Sequence, residues 1–250
     1  MAWYAYCIAE KQAFPEVAHH RKPVPMEKFL GVLGNQIFLY PASDFAMIVS
    51  EHTPEDHLDP KAAVDHARVI SECFKISTVL PFRFGTVFAD DAALRRSVRS
   101  NHRQFLANVE RLRGKAEMHL KVLLRDVSPD LPKYASAACA GQEYLSRLRE
   151  TACVQRDRQT KARSICMQMH RMFAPLEEEI TCRRTESGRM QLDIAHLIDH
   201  RSVERYQNKY SSASQSLQEC SMALSGPWAP YHFVHQTQRT TQGTGTHGHA

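Results

Sequence analysis

The sequence predicts an α+β protein of two domains, and three observations predict it. Short apolar runs of strand character alternate with segments of helical periodicity along most of the chain. The alternation occurs twice, with a seam near Arg113–Lys115. The last stretch, Gln236–Ala250, has no apolar residue larger than alanine and cannot bury enough surface to offset its ordering entropy. The expected organisation is therefore an α+β domain over residues 1–113, a second over 114–235 and a disordered tail over 236–250. The second half reads strand–helix–strand–helix–strand, which is compatible with a modified ferredoxin-like sheet.

Taken in order, Trp3-Tyr-Ala-Tyr-Cys-Ile-Ala9 is an aromatic, apolar first strand. A polar, proline-bearing loop follows over Lys11–Pro25, with a short helix expected near Met26–Leu33. Gln36–Tyr40 and Phe45–Ser50 are strands joined through Pro41-Ala-Ser-Asp44, a hairpin turn. Asp59-Pro60 caps a helix over Pro60–Phe74, with Ala63, Ala67, Ile70 and Phe74 as its buried stripe. Thr78–Phe88 is a strand that Pro81 interrupts or confines to an edge, and Gly85 permits a bend in it. Its alternation sets Leu80, Phe82 and Phe84 against Arg83.

Asp90 and Asp91 suit the positive end of a second long helix. Leu94, Val98, Phe105, Val109 and Leu112 form its apolar stripe, Arg95, Arg99 and Arg103 line another face, and Gly114 ends it. Ala116–Leu124 is a half-buried strand with Met118, Leu120 and Val122 inward. Ser128–Lys133 is a loop and Gln142–Pro175 a helix. Gln191–Ile198 is a strand, Ser202–Leu224 a helix, Ser225–Tyr231 an extended rigid segment and Tyr231–Val234 a short final strand.

The 250 residues are 43% hydrophobic and 24% charged, with a net charge of +5, which fits an ordinary globular chain. No apolar run approaches the roughly 20 residues of a membrane span, and the N-terminus has no basic region ahead of an apolar one, so a cytoplasmic protein is expected. The seven cysteines form no C-x-x-C pair and read mainly as small core residues. Arg95–Arg125 holds nine basic residues against two acidic ones, so a basic α+β module binding nucleic acid is the alternative reading. Phe105 is its lone aromatic and sits on the apolar stripe, which counts against base stacking.

Catalytic signatures are missing from the sequence: it has no G-x-S-x-G, no Walker loop and no G-x-G-x-x-G. Gly31-Val-Leu-Gly34 has too few glycines to cradle a phosphate. His196 and His200 have metal-chelating spacing only on a helix, and this segment reads as strand. His66 is expected to hydrogen-bond on a helix surface. Arg83 between two phenylalanines is expected to be partly buried, with Glu117 as its carboxylate partner.

Two stretches carry a family likeness. Thr78-Val-Leu-Pro-Phe-Arg-Phe-Gly-Thr-Val-Phe88 and Ser225-Gly-Pro-Trp-Ala-Pro-Tyr-His-Phe-Val234 resemble signatures of the gas vesicle protein family GvpF/GvpL. Arg113–Val122 looks like the family's central strand entry, Gly141-Gln-Glu-Tyr-Leu145 like its Gly-x-x-Tyr-Leu element, and the aromatic first strand also fits. Ala229 departs from the pattern where a second proline is common, and His232 where a small hydroxyl residue is common. The resemblance implies two α+β domains, the second ferredoxin-like. It also implies a cytoplasmic, gas-vesicle-associated accessory or minor structural protein that acts in assembly. The expected partners are the major shell protein and other accessory proteins. No enzyme activity, cofactor, metal, membrane or small-molecule substrate is expected. The motif residues are Pro81, Phe82, Arg83, Phe84, Gly85, Glu117, Gly226, Pro227, Trp228, Pro230 and Tyr231, with Arg95, Arg99 and Arg103 as candidate partner surface.

Overall fold

The structure is a computed structural model that describes residues 1–53, 55–124, 141–174, 176–185, 191–217 and 220–235. The expected tail, the Ser128–Lys133 loop and Cys139 lie outside the described residues. Two antiparallel sheets organise the chain.

The first sheet forms because its central strand is apolar on both faces. In β1 (Ala2–Glu10) every residue from Trp3 to Ala9 is buried. A bulge between Ala5 and Cys7 turns Tyr6 and Cys7 to the same side, so Tyr4, Tyr6, Cys7 and Ala9 face one core while Trp3, Ala5 and Ile8 face another. β2 (Val24–Met26), β3 (Ile37–Ala42) and β4 (Phe45–His52) follow, then β5 (Val79–Pro81) and β6 (Val87–Phe88), in the order β2-β3-β4-β1-β5 with β6 also pairing β1. The β3–β4 hairpin turns at the expected place. The helix expected near Met26–Leu33 is instead the end of β2 and a single 3-10 turn at Val32–Gly34.

Two helices cover this sheet, after the short α1 (Pro15–Ala18). α2 (Pro60–Ile76) starts on Asp59, whose carboxylate accepts from Ala62 N at 2.7 Å. Its buried positions are Ala62, His66, Val69, Ile70 and Cys73. The expected stripe through Ala63 and Ala67 is thus rotated by one residue, because the helix seats a polar ring, His66, in its contact face. α3 (Asp91–Leu112) is capped by Asp90 and buries Leu94, Val98, Val109 and Leu112 on the opposite face of the sheet.

The second sheet comprises β7 (Lys115–Leu124), β8 (Glu177–Thr185), β9 (Gln191–Asp199) and β10 (Cys220–Trp228), ordered β10-β7-β9-β8. With α4 (Gly141–Phe173) and α5 (Val203–Ser216) the chain order is β-α-β-β-α-β, and the all-antiparallel sheet is ferredoxin-like. Met118, Leu120 and Val122 of β7 pack under Ala162, Ile165, Met169 and Phe173 of α4 and Tyr206 of α5.

Three expectations here are corrected. β8 is an unexpected strand, and the final strand is β10, not Tyr231–Val234, which begins with a turn. The helix expected to reach Leu224 stops at Ser216, because Cys220, Met222 and Leu224 alternate with exposed Ser221, Ala223 and Ser225 and so bury one strand face.

The two sheets share a core. Ala195 and Leu197 of β9 join Val109, Leu112, Phe45 and Ile8 in one cluster, so α3 is wedged between the two sheets.

Candidate functional site

The first signature segment is a loop between two strand fragments, and β1 dictates its shape. Pro81 pairs with Cys7, and Phe82 N donates to Tyr6 O at 2.9 Å. Past that point the chain leaves the strand. His66 Nε2 lies 3.3 Å from Phe82 O; since a carbonyl can only accept, Nε2 carries the proton and Nδ1 accepts from the Tyr4 hydroxyl at 2.8 Å. Gly85 N donates to the same hydroxyl at 3.4 Å, and Thr86 Oγ1 donates to Arg83 O at 2.7 Å. Gly85 holds φ +82°, which an L side chain adopts only under strain. His66 is thus buried, not on a helix surface, and burial holds its pKa below the ordinary imidazole value.

The loop corrects the strand reading of this segment. Phe82 packs on the core beneath α3, but Arg83 and Phe84 are exposed, Phe84 by 42%. Arg83 has no carboxylate partner among the described residues. Its expected partner, Glu117, is buried in β7 and bound elsewhere.

That partner belongs to the second signature segment. β10 ends at Trp228, and residues 229–235 then run as a strap. Ala229 is buried in the α2-side core and Phe233 in the α3-side core. Glu117 Oε2 accepts from His232 N at 2.9 Å and Oε1 from His232 Nδ1 at 2.6 Å. The two residues that depart from the family pattern are therefore in use: Ala229 fills a core position and His232 satisfies a buried carboxylate. Further along, His235 N donates to Asn108 Oδ1 at 3.1 Å, and Asn108 Nδ2 donates to His235 O at 3.0 Å. Arg111 donates to Phe233 O and pairs with Glu179. Where the strap begins, Gly226 has φ +119°, and a Cβ there would stand 2.7 Å from Glu117 O. Only glycine fits. Trp228 and Tyr231 keep 41% and 39% of their surface exposed.

The two segments meet beside α3. Leu80, Pro81, Phe82, Arg83 and Thr86 of the loop, Val234 and His235 of the strap, and Ser97, Asn101, Gln104 and Phe105 of α3 line one cleft of about 250 Å³. Next to it, Ser43, Arg99, Ser100, Asn101, His102, Arg103 and Gln104 line an open depression.

The three candidate arginines of α3, Arg95, Arg99 and Arg103, are not equivalent. Asp91 Oδ1 accepts from Trp3 Nε1 at 2.7 Å and Oδ2 from Tyr40 OH at 2.9 Å; the Trp3 bond foremost holds its carboxyl below the usual range. One turn on, the Arg95 guanidinium lies over the Tyr40 ring, 5.0 Å from its centroid. Arg99 and Arg103 are exposed and unpaired among the described residues. Other basic residues of the same stretch are committed to the fold: Arg111 to Glu179, Arg113 to Glu10 and Lys115 to Glu178. The local excess of positive charge is thus smaller on the surface than in the sequence, and the nucleic-acid reading loses its main support.

His196 and His200 are not brought together. His196 is fully buried in β9, 5.4 Å from the Phe173 ring, while His200 is exposed. Among the described residues no group of three or more His, Cys, Asp or Glu is placed to hold a metal, and no helix is long and apolar enough to cross a membrane.

Comparison with known proteins decides the family. The model of the family described as gas vesicle synthesis protein GvpL/GvpF matches residues 2–235. The chain belongs to the GvpL/GvpF family. It is 29% identical over 218 residues to gas vesicle protein L of Streptomyces sp. (strain CB03234), covering 79% of this chain and 81% of that protein. It is 27% identical over 208 residues to gas vesicle protein F of the same strain, covering 76% and 84%. The GvpF crystal structures from Anabaena sp. PCC7120 and Microcystis aeruginosa share its fold, with TM-scores of 0.74 and 0.70 at 17% and 16% identity. Each covers 94% of this chain, matched over 97% and 99% of theirs. A GvpL/GvpF protein has a gas-vesicle-related role, and the family is not a known enzyme family.

Sequence reasoning missed His232, Asn108 and the strap's route: Glu117 alternates with Lys115, His119 and Lys121 on the polar face of β7, so nothing in the local pattern marks it as buried.

Proposed function

We propose that the protein acts in gas vesicle assembly as a non-enzymatic accessory or minor structural protein, through contact with the major shell protein and other accessory proteins in the cytoplasm. The observation that carries this reading is the continuity of one surface. The cleft between the signature segments and the depression beside Arg99 and Arg103 share Asn101 and Gln104. Two unpaired guanidinium groups on a rigid helix suit acidic groups on a partner protein. The polar side chains that hold the signature segments support a scaffolding role, since Tyr4 of β1, His66 of α2, Glu117 of β7 and His232 of the strap are spent on fixing the loop and strap. On this reading residues 1–113 and 114–235 are two domains held in register by α3 and the strap.

The test is co-expression of the tagged full-length chain with the major shell protein and the other accessory proteins, followed by mass spectrometry of what is retained. Retention of shell protein, reduced at least tenfold by Arg99→Glu with Arg103→Glu, is the expected result. Retention that survives the reversal moves the contact off α3. Loss of all vesicle proteins from the wild-type eluate overturns the assembly role.

A further inference from the structure

The cysteines fall into two environments. Cys7, Cys73 and Cys220 are buried, as core residues. Cys166 and Cys182 are at the solvent edge of the second sheet, where the C-terminal half of α4 crosses β8, and their Sγ atoms stand 3.5 Å apart. Neither is near the α3 surface or the signature segments in sequence. Two residues beyond the partly buried Ile180 of β8, Cys182 is exposed, and Cys166 follows Ile165 on the flank of the helix's buried face. Helix and strand packing therefore holds the two thiols in contact without a covalent bond, with the approach from water open.

We propose that Cys166 and Cys182 form an oxidisable dithiol that takes a low-molecular-weight disulfide as its substrate and closes into an intrachain disulfide tying α4 to β8. The Cys166 thiolate attacks one sulfur of the small disulfide, forming a mixed disulfide and expelling one thiolate, which takes up a proton. The Cys182 thiolate then attacks the Cys166 sulfur, forming the Cys166–Cys182 bond and expelling the second thiolate. In sum two protein thiols are oxidised, and one small disulfide is reduced to two thiols. Burial and the neighbouring thiol push Cys182 up to about 12, which favours Cys166 for the first attack. Among the described residues β8 is the edge strand of its sheet and pairs with β9 alone. The bond would hold this edge to the helix across it.

The experiment treats reduced full-length protein with excess oxidised glutathione, quenches with acid and maps tryptic peptides without reduction. The expected product joins peptide 164–171 to peptide 172–183, with a loss of two titratable thiols that dithiothreitol restores. In Cys166→Ser and Cys182→Ser the remaining partner should instead keep one glutathione, because no second thiol is in reach to displace it. Both positions reach solvent, so neither variant removes a core residue. Wild-type protein that keeps glutathione on Cys166 or Cys182 without the joined peptide overturns the proposal. So does preferential pairing of either cysteine with exposed Cys153.

Discussion

Removal of the Glu117 carboxylate should unfasten the strap, and the cost can be worked from the contacts it makes. The side chain is 3% exposed and accepts two hydrogen bonds from His232, one from the backbone and one from the ring. Hydrogen bonds to a charged acceptor contribute about 1.5–3 kcal/mol each. Glu117→Ala loses both and leaves a donor facing a void, so a loss of about 3–5 kcal/mol is expected. Glu117→Gln keeps one acceptor for the backbone N–H, and its amide can donate to the ring if His232 shifts its proton to Nε2; the expected loss is about 1–2 kcal/mol. Urea unfolding at neutral pH, read from tryptophan fluorescence, ranks the variants. Hydrogen exchange at residues 229–235 reports the strap itself and should rise in Glu117→Ala before global unfolding. Arg83→Ala, at an exposed side chain, should change stability by less than about 0.5 kcal/mol. The reasoning fails if Glu117→Ala lies within 1 kcal/mol of wild type, or if Arg83→Ala matches it.

Three further outcomes are expected. Gly226→Ala places a Cβ against Glu117 O at a left-handed φ and should cost more than about 2 kcal/mol, a drop of at least about 4 °C in Tm, whereas Gly34→Ala, with open space around it, should cost about 1 kcal/mol. Arg99→Glu with Arg103→Glu should leave the free energy of urea unfolding unchanged within about 0.5 kcal/mol, so that any lost partner binding is a surface effect. His196, buried against Phe173 and Tyr206 with Glu177 and His170 nearby, is depressed to about 4, foremost by burial. The unfolded chain therefore binds a proton that the native state refuses between about pH 6.5 and 4, and stability falls across that window by about 3 kcal/mol. Burial raises Glu177, which acts in the opposite sense, so the comparison is with His196→Gln; pH profiles that run parallel in the two proteins would refute this assignment.

How much was legible in the sequence depends on how each element earns its stability. β1, the β3–β4 hairpin, α2 and α3 were legible because each is specified locally, by apolar runs, a proline-bearing turn or an aspartate cap. β8 was not. It begins with three glutamates, and as an edge strand it has only a few inward positions, Ile180 among them, to mark its period. The boundary between α5 and β10 was misplaced because small serines and alanines satisfy both periods, and only pairing with β7 decides. The site was half visible. Both signature segments were found, and the arginines of α3 were placed on an exposed face, but the partner assigned to Glu117 was the nearest cation in the motif rather than a histidine 115 residues away. A long-range contact of that kind leaves no local trace. His66 was misread for a related reason: polarity argued for a surface, while two fixed hydrogen bonds made it a core residue.

The order of synthesis gives the strap a further meaning. Domains fold as units from the N-terminal end while the chain is being made. The first sheet and α3 are complete in sequence by residue 112, yet Phe233 and Val234 belong to their shared core and Arg111 binds the carbonyl of Phe233. A nascent chain that has already built its first sheet therefore waits, with an apolar seam beside Ile8, Leu80 and Phe105 open, for more than a hundred further residues to arrive. Until the strap arrives that seam stays uncovered, so the core opened by the first half of the chain is closed by a segment made long after it.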